Sequence, residues 1–171
     1  MISVASLIVL SCYPAALIIA AFNDLYEFKI PNWVSILLIV SYFLSAIFLL
    51  PPPTAMFESL MLSIGALIVG FILFARSIIG GGDAKLFAAS VLWIGFPGFA
   101  VFLLNMALAG AFLALFLLLF RKTPALPIYA HAPWLLRLHQ RPRDIPYAVA
   151  ICIGGLLSFQ ETLYFQLVFG G

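Results

Sequence analysis

Two aspartates stand where so apolar a chain has little reason to place a charge. Asp24 closes a long apolar run, and Asp83 opens another directly after three glycines, Gly80 to Gly82. The whole chain of 171 residues has only six acidic side chains. Carboxylates in or beside a bilayer are costly, and they are kept where they are paired or where they serve a function. Two of them at one depth could carry out acid–base hydrolysis. An ionised carboxylate takes a proton from water, while its protonated partner donates to the carbonyl or the leaving amine. Like charges held close do not both ionise readily, which divides such a pair into an acid and a base. The bland alternative is that Asp24 only marks a helix boundary and Asp83 only an N-cap.

Composition sets the frame for these residues. The chain is 65% hydrophobic and 8% charged, with 17 phenylalanines and a mean hydropathy of +1.23. A water-soluble domain of this size needs a polar surface that this one lacks. The expected fold class is an all-α polytopic membrane protein, a single membrane-embedded domain over residues 1–171 whose main partner is the lipid bilayer. Apolar runs bounded by breakers predict about six spans, at 2–23, 32–50, 55–76, 83–95, 98–120 and from 145 to about 160. The fourth is short for a bilayer that needs about 20 helical residues. Gly95, Pro97 and Gly98 separate it from the fifth. The first basic residue is Lys29, so the first run reads as a retained span and not as a cleaved signal. No G-x-x-x-x-G-K-[ST] loop is present, and no basic patch with interleaved aromatics points to nucleic acid.

Orientation follows from the cations. Lys29, then Arg76 and Lys85, then Arg121, Lys122, Arg137, Arg141 and Arg143 fall in or beside the first, third and fifth loops, and the loops at 51–54 and 95–98 have none. The positive-inside rule therefore predicts three cytoplasmic loops and extracytoplasmic termini. It also brings Asp24 and Asp83 to one membrane face, although 59 positions separate them.

Local sequence suits a site there. Gly80 to Gly82 would let another backbone approach closely before Asp83. After Asp24, Pro31 is placed to begin the second helix at its first position, with Ile30 held extended before it. The cytoplasmic loop 121–143 holds four prolines, which argue against one regular helix, and "APWLLRLHQR" within it could form a short amphipathic piece at the interface. Cys12 and Cys152 read as small buried hydrophobes, and His131 and His139 lack zinc spacing. Glu27 and Asp144 read as solvated partners of nearby cations, and Glu58 and Glu161 fall toward the opposite face. The tail "ETLYFQLVFGG" is apolar enough to continue a span and is read as native.

The stretch from Asp24 through Ile30, Pro31 and Asn32 to Trp33, together with "GGGDAKL" at 80–86, resembles the prepilin and preflagellin peptidases, integral membrane aspartic endopeptidases with an Ile-Pro-Asn segment after the first aspartate and a Gly-x-Gly-Asp-x-Lys-Leu motif at the second. "RDIPYAVAICIGG" at 143–155 is similar to that family's last helix. The resemblance implies that Asp24 and Asp83 are the catalytic pair and that Gly80, Gly82, Lys85, Pro31 and Asn32 shape the site or meet the substrate. It implies a pilin precursor as substrate, cut after a short positive leader at the cytoplasmic boundary of a bacterial inner membrane, with neither metal nor cofactor. Larger members also methylate the new N-terminus through an insert with paired cysteines. No Cys-x-x-Cys occurs here, so the form expected is the minimal one of tight-adherence Flp pilus systems. Two other classes compete with this reading. A proton-coupled transporter would set its carboxylates nearer mid-bilayer with water access from both faces. A non-catalytic pilus assembly protein would tolerate neutral replacement of both aspartates.

Overall fold

The computed structural model describes residues 4–123, 133–140 and 145–169. It is an all-α bundle: α1 Val4–Glu27, α2 Asn32–Leu49, α3 Pro53–Ala75, α4 Gly81–Lys122, α5 Pro133–Gln140, α6 Tyr147–Leu157 and α7 Leu163–Phe169. Proline opens α3 at its first turn, where its missing N–H costs nothing. The ends of α1, α2 and α3 share one device. Phe28, Leu50 and Ser77 each take a positive φ, which turns the chain and lets the next amides reach free helix carbonyls. After α3, Ser77 N–H bonds to Phe74 O at 2.8 Å and Ile78 N–H to Leu73 O at 3.0 Å.

The bundle is a membrane protein's. Among the described residues α2, α3 and α4 are long and apolar enough to cross a bilayer, so at least three helices span. Large side chains such as Phe71, Phe112 and Phe116 lie mostly exposed on their outer faces. A surface of this kind suits hydrocarbon, where helices meet all their backbone hydrogen bonds internally.

α4 is helical on both sides of a reversal. Gly95 has φ 70° and ψ −178°, a conformation open almost only to glycine. Phe87 and Phe102 stack with ring centroids 5.8 Å apart, whereas a straight helix would separate those positions by about 22 Å. The two arms therefore run antiparallel, as the Gly-Pro-Gly punctuation at 95–98 predicts. α3 lies along the first arm, with Gly70 directly over Ala84 and Ser63 Oγ donating to Ala88 O at 2.8 Å. α6 lies along the second arm, so close at Gly154 that a Cβ there would stand 2.8 Å from the Met106 backbone nitrogen. Small residues that permit such approach are how membrane helices gain packing energy.

The core gathers at the Gly95 half of the bundle. Trp93, Tyr13, Tyr42 and Tyr164 are fully enclosed, and Trp93 makes ring contacts of 5.3 to 5.9 Å with the three tyrosines. Its indole N–H donates to Leu38 O at 2.7 Å, and Tyr164 O–H donates to Tyr42 O at 3.0 Å.

Three expectations need correction. The sixth apolar run does not continue to 160 as one helix. It stops at Leu157, passes through a short 3-10 turn at Phe159–Glu161 and resumes as α7, where Thr162 Oγ1 accepts from Phe165 N–H at 3.3 Å. The 11 residues of α6 rise only about 16 Å. Pro31 is the N-cap of α2 with extended backbone, and Asn32 is its first helical residue. Finally, the fourth run starts at Gly81 and not at 83: Gly80 is its N-cap and Asp83 its third residue, which also removes the bland alternative of Asp83 as the cap. The short helix expected around "APWLLRLHQR" is α5. Readings that fall on His131, Arg141, Arg143 and Asp144 lie outside the described residues.

Candidate active site

Asp24 lies in the last turn of α1 and Asp83 in the first turn of α4. The bundle brings both to one cavity of about 690 Å³ at the end of the molecule opposite the Gly95 reversal. Its walls come from the segments where helices stop and start. Phe28 follows α1, Phe74 ends α3, Ser77 to Gly80 connect α3 to α4, and Ile145 and Tyr147 lead into α6. The positive-φ turns at Phe28 and Ser77 therefore hold two of the walls. Leu50 has the same conformation far from the cavity, so this backbone strain belongs to helix capping and marks no chemistry by itself.

The two carboxylates are held differently. Asp24 is buried, 6% exposed, and its Oδ2 accepts the backbone N–H of Ala148 at 2.9 Å. Ala148 is in the first turn of α6, whose N-cap, Pro146, offers no side-chain bond. Asp24 thus satisfies one of the orphan amides at that helix start from across the bundle, and the bond fixes its carboxylate in return. Asp83 is half-buried and turns back toward the Gly80 backbone. A Cβ on Gly80 would stand 2.7 Å from Asp83 Oδ2, so the glycine is what leaves room for this rotamer. Asp83 Oδ1 is shielded from the surface, without a hydrogen-bond partner among the described residues. Such an oxygen is costly unless water or another polar group meets it in the cavity.

The remaining candidates divide. Gly80 lines the cavity with the aspartates. Gly82 packs against Ile30, 3.1 Å from where its Cβ would be, which ties the start of α4 to the turn before α2. Asn32 and Lys85 point elsewhere. Lys85 Nζ donates to Asn32 Oδ1 at 3.0 Å, and both line a second, smaller cavity on another side of α4. Pro31 lines neither. The structure thus joins Asp24, Asp83 and Gly80, and leaves Lys85, Asn32 and Pro31 apart from them.

The model of the type IV leader peptidase family matches residues 11–115. The chain belongs to that family. The match takes in both aspartates and the turns beside them, where two of the three stretches that carry the sequence resemblance lie. No curated protein and no solved structure matches the chain. The stretch matched to the leader peptidase family ends before α6, so Tyr147, which lines the cavity, and Ala148, which donates to Asp24, come from outside it. Reading the sequence missed both. The signal available was Pro146, which announces a helix start with amides in need of an acceptor.

Proposed function

We propose that this chain is a membrane aspartic endopeptidase that removes the short leader from pilin precursors, using Asp24 and Asp83 on a bound water. The observation that carries the reading is that these two carboxylates, both within the family match, line one cavity at the ends of their helices. In this mechanism the water oxygen attacks the scissile carbonyl carbon. One carboxylate takes the water's proton while the other, protonated, donates to the carbonyl oxygen. The tetrahedral intermediate then collapses, the C–N bond breaks, and the leaving nitrogen receives a proton from the pair. No covalent enzyme intermediate forms. Asp83 lines the cavity in which the water would sit, and the Ala148 bond orients Asp24. The substrate's hydrophobic helix would have to unwind locally to present its carbonyl.

The described cations gather at the aspartate end, at Lys29, Arg76, Lys85, Arg121, Lys122 and Arg137. By the positive-inside rule this end faces the cytoplasm of a bacterial inner membrane, so the leader would be cut on that face. The test is incubation of the purified protein in detergent with a full-length pilin precursor, with product masses locating the bond. Cleavage at the leader boundary by wild type, and none by Asp24→Asn or Asp83→Asn, is the expected result. Cleavage that survives in either variant overturns the paired-aspartate mechanism.

A further inference from the structure

The second cavity, independent of the peptidase reading, has the build of a lipid site. Its volume is about 390 Å³, and it lies in the groove between α2 and α3 over the first arm of α4. Both helices pack on that arm and scarcely touch each other, so the groove opens sideways toward the bilayer. One end is polar, with Asn32 and Lys85; beyond it Ile36, Ile39 and Leu67, with the hydroxyls of Ser35 and Ser63 between them, form mostly apolar walls over a floor of Ala88 and Ala89. From Asn32 to Ile39 the groove descends about 10 Å along α2. Lys85 is exposed, and its one bond among the described residues is to the neutral Asn32. No carboxylate lines the cavity. An ammonium at the mouth of an apolar furrow, with nothing anionic inside it, calls for a negative group that brings its own hydrocarbon.

We propose that this groove binds one anionic phospholipid, its phosphate on Lys85 and one acyl chain along Ile36, Ile39 and Leu67. Shape separates this occupant from a protein helix. An α-helix is about 10 Å across, whereas an extended alkyl chain is far thinner and suits a furrow between two helices that pack on one arm. Charge separates it from a neutral lipid, which would leave the lysine uncompensated.

The test is thermal unfolding of the full chain in neutral detergent, titrated with phosphatidylglycerol, phosphatidylcholine or soluble glycerol phosphate. A bound ligand raises the midpoint in a saturable way. Phosphatidylglycerol is expected to do so, and the other two to do much less. Lys85→Gln should weaken the apparent affinity about tenfold, as befits one charge-assisted hydrogen bond, and Lys85→Arg should keep it. Leu67→Trp, which fills the apolar end, should weaken it without touching the lysine. Arg76→Gln, an exposed cation outside the groove, should leave it unchanged. No saturable rise with phosphatidylglycerol, or an equal response in Lys85→Gln, would overturn the proposal. So would an equal effect of phosphatidylcholine, and full reproduction by glycerol phosphate would make this a phosphate site with no role for the acyl groove.

Discussion

The two halves of the bundle are built to opposite standards. Toward the Gly95 reversal, Trp93 and the rings of Tyr13, Tyr42 and Tyr164 are sealed from the surface, and helices approach until backbone meets backbone at Gly154. Toward the aspartates the chain leaves a cavity of about 690 Å³. Helix association in a bilayer rests largely on packing, since lipid tails offer no hydrophobic drive. Contacts given up at the aspartate end must therefore be offset at the other. On the proposed function the contrast separates stability from chemistry, and variants at the two ends should move different observables.

The largest expected change in stability is at the ring cluster. Trp93→Ala removes three ring contacts and the bond to Leu38 O, and should lower unfolding free energy by about 3 kcal/mol or more, read by denaturant or thermal unfolding in detergent. Gly154→Ala drives a methyl into the Met106 backbone, for an expected cost of about 1–3 kcal/mol. At the aspartate end the effects shrink. Asp24→Ala should be less stable than Asp24→Asn by about 1 kcal/mol, because asparagine keeps a carbonyl oxygen for the Ala148 amide. Equal stabilities would mean that this bond contributes nothing. Smallest of all, Ser77→Gly relieves a positive φ and should raise the unfolding midpoint slightly, by less than about 1 kcal/mol. A ranking in which Asp24→Ala cost more than Trp93→Ala would break the division between the halves.

How far the sequence could be read depended on where each signal lay. The reversal at 95–98 was legible because glycine and proline mark it directly. The placement of Asp24 and Asp83 toward one end of the bundle was legible from where the apolar runs stop and start, although their separation was not. The break of the last apolar run at Leu157 was not, since Ser158 and Thr162 are weak breakers. Nor was the Ala148 bond to Asp24, in which a backbone amide 124 positions away acts as donor. Lys85 teaches a different lesson. It sits in one motif with Asp83, yet two residues along a helix turn about 200° around its axis. Adjacency in sequence therefore places it on another face, over another cavity.

The central claim is that the aspartates serve chemistry and not the fold, and it is met most directly by measuring cleavage rate and unfolding midpoint together on Asp24→Asn and Asp83→Asn. Each variant should unfold close to wild type and lose about a hundredfold or more of the rate at which a pilin precursor is cleaved. A variant that unfolds early while its remaining folded fraction cleaves at the wild-type rate would contradict it, and would make that aspartate a structural residue only.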